Sequence, residues 1–115
     1  MPALTKSQII AANDGQPLEV EVPEWGGSVF IRVMTVGERD AYENEWTLSK
    51  IRGMENFRAK LLQRTLCDAN GVLLFTAGEL DALAAKSAAV CDRLFAKAAK
   101  HNGLSKGDVE ELAKN

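Results

Sequence analysis

Alternation of apolar and polar residues is clearest in the first third of the chain. In LEVEV, residues 18–22, Val20 and Val22 fall on one side of an extended backbone, with Glu19 and Glu21 on the other. In SVFIRVM, residues 28–34, Val29, Ile31 and Val33 share one side while Phe30, Arg32 and Met34 share the opposite one. Between them PEWGG reads as a glycine-containing hairpin loop carrying Trp25. VLLF at 72–75 offers a short third strand. A lone two-stranded ribbon is marginal in water, so helices must cover it.

Helical periods occupy most of the remainder, and their starts are legible. Thr5 with Gln8, Thr35 with Glu38 and Thr76 with Glu79 each place a hydroxyl and a carboxylate or amide three residues apart. That spacing satisfies amides which a first helical turn leaves unpaired. Leu4 and Ile9 are placed for a hydrophobic staple around the first of these caps, and Ser105 with Asp108 makes a weaker fourth cap. NDG at 13–15, DANG at 68–71 and NG at 102–103 supply residues that tolerate the left-handed helix stop. The spacing therefore predicts helices over 6–12, 36–47, 54–67, 77–101 and 106–114, with Ser87 able to divide the fourth. Strands at 18–22, 28–34 and 72–75 covered by these helices make an α+β domain, one domain over 1–115.

Around the circumference of the fourth helix, Leu80, Leu83, Ala84, Ser87, Cys91, Leu94, Phe95 and Ala98 form one stripe. Lys86, Arg93, Lys97 and Lys100 gather opposite. Burying one large apolar side chain contributes roughly 1.5–3 kcal/mol, against about 0.7 kcal/mol for the whole spread of ordinary helix propensities. Packing of the stripe must therefore hold this helix. In the third helix Phe57, Leu61, Leu62 and Leu66 span an apolar arc, with Lys60, Gln63 and Arg64 on the polar side. Arg58 falls within the arc, where it either snorkels or meets an acid, such as a glutamate of the second helix.

Composition narrows the function without naming it. With 46% apolar and 26% charged residues the chain is ordinary globular material. A net charge of −2 gives no global attraction to nucleic acid. The longest apolar run, GVLLF, is too short to cross a bilayer, and MPALTKSQII lacks the basic-then-apolar order of a secretion signal. Cys67 and Cys91 lack metal-ligand spacing and read as buried free thiols of a cytoplasmic protein.

The parts of an enzyme are missing. His101, the sole histidine, sits at a helix end where a cation suits the dipole, a structural placement rather than a catalytic one. One histidine and two separated cysteines make no zinc site, and EWGGS has neither the spacing nor the lysine of a phosphate loop. Asp40, Glu43 and Glu45 read as the wet face of a helix. No catalysis, cofactor or metal is expected. Lys50, Arg52, Arg58, Lys60 and Arg64 make 50–64 locally basic, but no nucleic-acid-binding motif accompanies them. Trp25 has two readings: an indole folded back over the core, which its size favours, or an anchor displayed by a rigid loop.

LEVEVPEWGGSVFIRVMTVGERDAYE followed by DANGVLLFTAGELDALAAKSAAVCDRLFAKAAKHNGLS resembles the tail assembly chaperones of long-tailed bacteriophages and prophages. The resemblance runs from TKSQII to EELAKN. Its most specific parts are VPEWGG, GERDAYE and the LFTAGELDAL, DRLF and NGLS segments. It implies a protein with no enzymatic activity and no cofactor, working in the bacterial host cytoplasm. Its implied partner is the tape-measure protein, kept soluble while tail-tube subunits assemble around it. A longer frameshifted form is implied to recruit the tail-tube protein. Neither nucleic acid nor membrane is an expected partner; self-association through the alanine-rich helix is. On that reading the partner surface draws on Trp25, Gly26 and Gly27 of the loop and on Lys86, Arg93, Lys97 and Lys100 of the long helix. The competing readings are a head–tail or tail-terminator subunit retained in the virion, and a small nucleic-acid-binding regulator.

Overall fold

A computed structural model of the protein describes residues 2–49, with backbone alone over 46–49, and residues 56–104. Helix α1 (Lys6–Ala11) begins at the expected capping box: the Thr5 hydroxyl accepts from the Gln8 N–H at 3.2 Å, and the Gln8 side chain accepts from the Thr5 N–H at 2.9 Å. None of its residues is buried, and Leu4 and Ile9, placed for a staple, are 64% and 60% exposed. Strands β1 (Leu18–Val22) and β2 (Gly27–Ile31) pair antiparallel across the short 3-10 turn Pro23–Trp25, with Val20 opposite Val29 and Val22 opposite Gly27. Gly26 closes the turn at φ 78°, a left-handed conformation that glycine adopts without steric cost. Val20 and Val22 are buried while Glu19 and Glu21 face solvent, so the period of two expected from the sequence is realised.

The second strand ends at Ile31, not at residue 34. Beyond it the Arg32 N–H is taken by the Thr65 carbonyl at 2.8 Å and the Met34 N–H by the Asn102 side chain at 2.6 Å. Met34, placed by alternation on the side opposite Ile31, is buried like Ile31 because the chain has left the strand. Helix α2 (Val36–Ser49) follows, its Thr35–Glu38 capping box formed at 3.2 and 2.9 Å.

Helix α3 (Phe57–Thr65) stops two residues earlier than its pattern suggests, because Leu66–Cys67 form strand β3. These two residues pair with Ile31 and Phe30, completing a sheet of order β1-β2-β3. The third strand is thus Leu66–Cys67, and 72–75 adds the bridge from Leu73 to Cys67, an Asp68 N–H bond to the Val72 carbonyl and a Leu74 N–H bond to Leu66. DANG turns this hairpin instead of ending a helix: the Asp68 carboxylate accepts from the Asn70 and Val72 amides at 2.8 and 3.0 Å, and Gly71 takes φ 83°. Gln63, read as part of a polar face, is buried and donates to the Phe75 carbonyl at 3.0 Å, tying α3 to the end of this strip.

The fourth helix divides, as Ser87 permits. Glu79 caps a 3-10 turn, its carboxylate accepting from the Thr76 N–H at 2.9 Å, and leads into α4 (Leu80–Ala84). Ser87 is extended (φ −55°, ψ 129°), and α5 (Ala88–His101) sets off from it. Leu83 and Leu94, on either side of the break, are both buried, whereas Ala84 and Ser87, assigned to the apolar stripe, are exposed. Helix α5 ends in a Schellman motif, with Gly103 N–H to Lys100 O at 3.1 Å and Leu104 N–H to Ala99 O at 2.8 Å. The core lies between the sheet and α3, α4 and α5, with Ile31, Leu61, Leu62, Leu66 and Leu94 at its centre. Phe57 meets Phe95 edge-on at 5.6 Å. Tyr42 is buried with its hydroxyl on the Phe57 carbonyl at 3.4 Å, and burial pushes its pKa up to about 12. The 106–114 helix and the Ser105–Asp108 cap lie outside the described residues.

Candidate partner-binding surface

Two distant stretches of sequence form one surface. The loop after β1 lies against α5: Glu24 takes a bidentate grip on the Arg93 guanidinium, at 2.7 and 2.8 Å, across 69 positions of sequence. Such fork-to-carboxylate pairs fix orientation as well as proximity. Trp25, next in sequence, is half-buried, packing against the core from its margin. The Lys86 ammonium sits 5.7 Å from the indole centroid, within cation–π range. Trp25 therefore has one part on the core and the remainder open to solvent.

From that corner β1 and α5 run alongside one another in opposite directions. An open recess of about 380 Å³ is bounded by Glu19, Glu21, Arg93 and Lys97. A second, of about 400 Å³, is bounded by Leu18, Lys97, Lys100 and His101. His101 plays the structural part expected of it: Nε2 donates to the Gln16 carbonyl at 2.8 Å, holding the approach to β1 against the end of α5. The structure thus sets Trp25, Lys86, Arg93, Lys97 and Lys100 along one side of the loop and α5, with Gly26 closing the turn and Gly27 opening β2. Sequence reasoning missed Glu24, which joins the two patches; an acid between proline and tryptophan carries no signal of a partner so far along the chain.

Electrostatics assign different work to these cations. Among the described residues Lys97 and Lys100 make no ion pair. Arg93 is committed to Glu24, and its hydrogen bonds hold the Glu24 carboxyl at a pKa of about 2. A carboxylate whose folded pKa is depressed contributes its stabilisation above the unfolded value near 4.5 and loses it as pH falls toward 2. Arg93→Met is therefore expected to raise the Glu24 pKa toward the ordinary carboxylate range, read directly by NMR of its side-chain carboxyl, the backbone hydrogen bond at Glu24 keeping part of the depression.

The basic segment 50–64 is spent differently. Lys60 pairs with Glu45 of α2 at 3.4 Å, Arg64 with the same carboxylate, and Arg58 with Asp92 of α5 at 2.6 Å. Arg58 thus meets an acid of α5, not a glutamate of α2, and also lies over the Phe57 ring. Lys50 and Arg52 lie outside the described residues. Cys67 and Cys91 are free and buried, and burial pushes both thiols up, away from the reactive thiolate. Among the described residues no cluster of three His, Cys, Asp or Glu could hold a metal, and no helix is long and apolar enough to cross a membrane.

Comparison with known proteins agrees with this architecture. The solved tail assembly chaperone of bacteriophage HK97 superposes with a TM-score of 0.61 at 21% identity, over 87% of this chain and 92% of that one, a likeness of fold. No curated protein matches the sequence. The family model described as phage tail assembly chaperone matches residues 5–115, and with this extent of agreement the chain belongs to the phage tail assembly chaperone family.

Proposed function

We propose that the chain binds the tape-measure protein of its phage and keeps it soluble while the tail is built, acting by surface contact and without catalysis. Membership of the tail assembly chaperone family carries this reading. The surface from Trp25 to Lys100 supports it physically: a half-buried tryptophan is a favoured interface anchor, and lysines that make no ion pair among the described residues give it a polar rim. Helix α1 and the residue before its cap add apolar area: Leu4, Ile9 and Ile10 are 60–73% exposed, and α1 has no buried residue. A long amphipathic helical client needs apolar strips with a polar rim. Recruitment of the tail-tube protein through a longer frameshifted form, and action in the bacterial host cytoplasm, complete the proposal. Mass spectrometry of purified particles and of the infected lysate tests it. The chain is expected in the lysate bound to the tape-measure protein and missing from finished particles; stoichiometric recovery from particles would identify a retained structural subunit instead.

A further inference from the structure

We infer that the outer edge of β1, together with Lys97 and Lys100 of α5, is a strand-docking groove that takes an extended, acidic segment of a protein partner. In the sheet order β1-β2-β3, β1 has a paired strand on one side only among the described residues. Edge strands present unpaired N–H and C=O groups to any chain that can lie beside them. Here the edge runs along the two open recesses between β1 and α5, and Leu18, 39% exposed, gives that path an apolar contact. Backbone pairing supplies affinity in such augmentation, while alternate side chains of the incoming strand supply specificity.

The charges choose the occupant. Val20 and Val22 mark the face of β1 turned to the core, and Lys97 and Lys100 stand beside the edge from α5. Every second side chain of an incoming strand would project toward these lysines, and a carboxylate there meets cations that have no ion pair among the described residues. The intervening side chains fall on the face of Glu19 and Glu21, where a neutral or basic residue fits. A second copy of β1 would instead set Glu19 and Glu21 on the same face as their own counterparts, a like-charge arrangement that disfavours self-pairing at this edge. The inference shares its surface with the proposed function but does not depend on the tape-measure protein being the client.

Two synthetic peptides test it on the full chain by amide-resolved NMR: an eight-residue Thr-Glu alternation and the matching Thr-Lys alternation. The Thr-Glu peptide is expected to shift the amides of residues 18–22 and slow their hydrogen exchange, and the Thr-Lys peptide to do neither. Lys97→Glu with Lys100→Glu, both on exposed positions, is expected to weaken Thr-Glu binding roughly tenfold. Absence of any response at millimolar Thr-Glu peptide would overturn the inference. So would shifts confined to Lys97 and Lys100 with unchanged exchange in β1, which is charge contact without strand pairing. Protection of β1 that grows with protein concentration and no peptide would assign the edge to a second copy and likewise overturn it.

Discussion

Leu94→Ala is expected to lower the stability of the folded chain by about 2–5 kcal/mol, a large part of the roughly 5–15 kcal/mol that holds a typical domain folded. Leu94 is fully buried at the centre of the core, on the helix that packs against both α3 and β1. The loss combines the transfer energy of the deleted atoms with a cavity that neighbours close only in part. Helix α5 is poorly placed to relax, because the Glu24–Arg93 pair ties its middle to the hairpin loop and the Schellman motif with Asn102 fixes its C-terminal end. The upper half of the range is therefore expected. Urea unfolding would show a lowered midpoint with an unchanged slope. Leu94→Met, which nearly conserves volume, should cost less than about 1.5 kcal/mol. Equal losses for the two variants would show that cavity formation is not the cause.

Asn102→Ala is the second large effect, and polar satisfaction rather than volume produces it. The Asn102 side chain is buried, accepting from the Met34 N–H at 2.6 Å and donating to the carbonyls of Ala98 at 2.8 Å and Arg32 at 3.2 Å. Alanine leaves the buried Met34 amide without an acceptor, a desolvation penalty of about 1–3 kcal/mol. The amide of Met34 should then exchange faster than its neighbours do. Asn102→Asp distinguishes this account from a simple loss of packing. It retains an acceptor for Met34 but buries a carboxylate against two carbonyl oxygens, so its folded pKa should rise. A raised folded pKa means the variant is most stable at low pH and loses stability as pH climbs, opposite to the loss that the Glu24 clamp undergoes in acid. Denaturant midpoints of the aspartate variant across the acid range would show that slope; a flat profile would mean the side chain has left its buried site.

Much of the local structure was legible because single residues set it. The Thr5, Thr35 and Thr76 starts, the PEWGG hairpin and the NG stop at 102–103 each follow from hydrogen-bonding or conformational preferences acting over a few positions. The departures are tertiary. ALAAKSAAV has helix propensity nearly throughout, and an unbroken helix would also set Leu83 and Leu94 on one face, so neither propensity nor period announces the break at Ser87. Leu66–Cys67 is too short to show any period, and the open places beside Phe30 and Ile31 in the sheet make it a strand. Gln63 looked solvent-facing by angle, yet the returning strip at Phe75 covers it. At the candidate surface the sequence offered a tryptophan loop and a basic stripe as parts of one surface, without the contact that joins them. Their union depends on Glu24 reaching Arg93, a contact between positions that no local pattern connects.

Co-expression with the cognate tape-measure protein tests the central claim most directly, through the fraction of that protein left soluble after high-speed sedimentation. The chain is expected to hold most of it in the supernatant. A variant carrying Trp25→Ala, Lys97→Glu and Lys100→Glu, checked to be folded by its urea transition, is expected to let it pellet. Sedimentation of the tape-measure protein to the same extent with and without the wild-type chain would contradict the account.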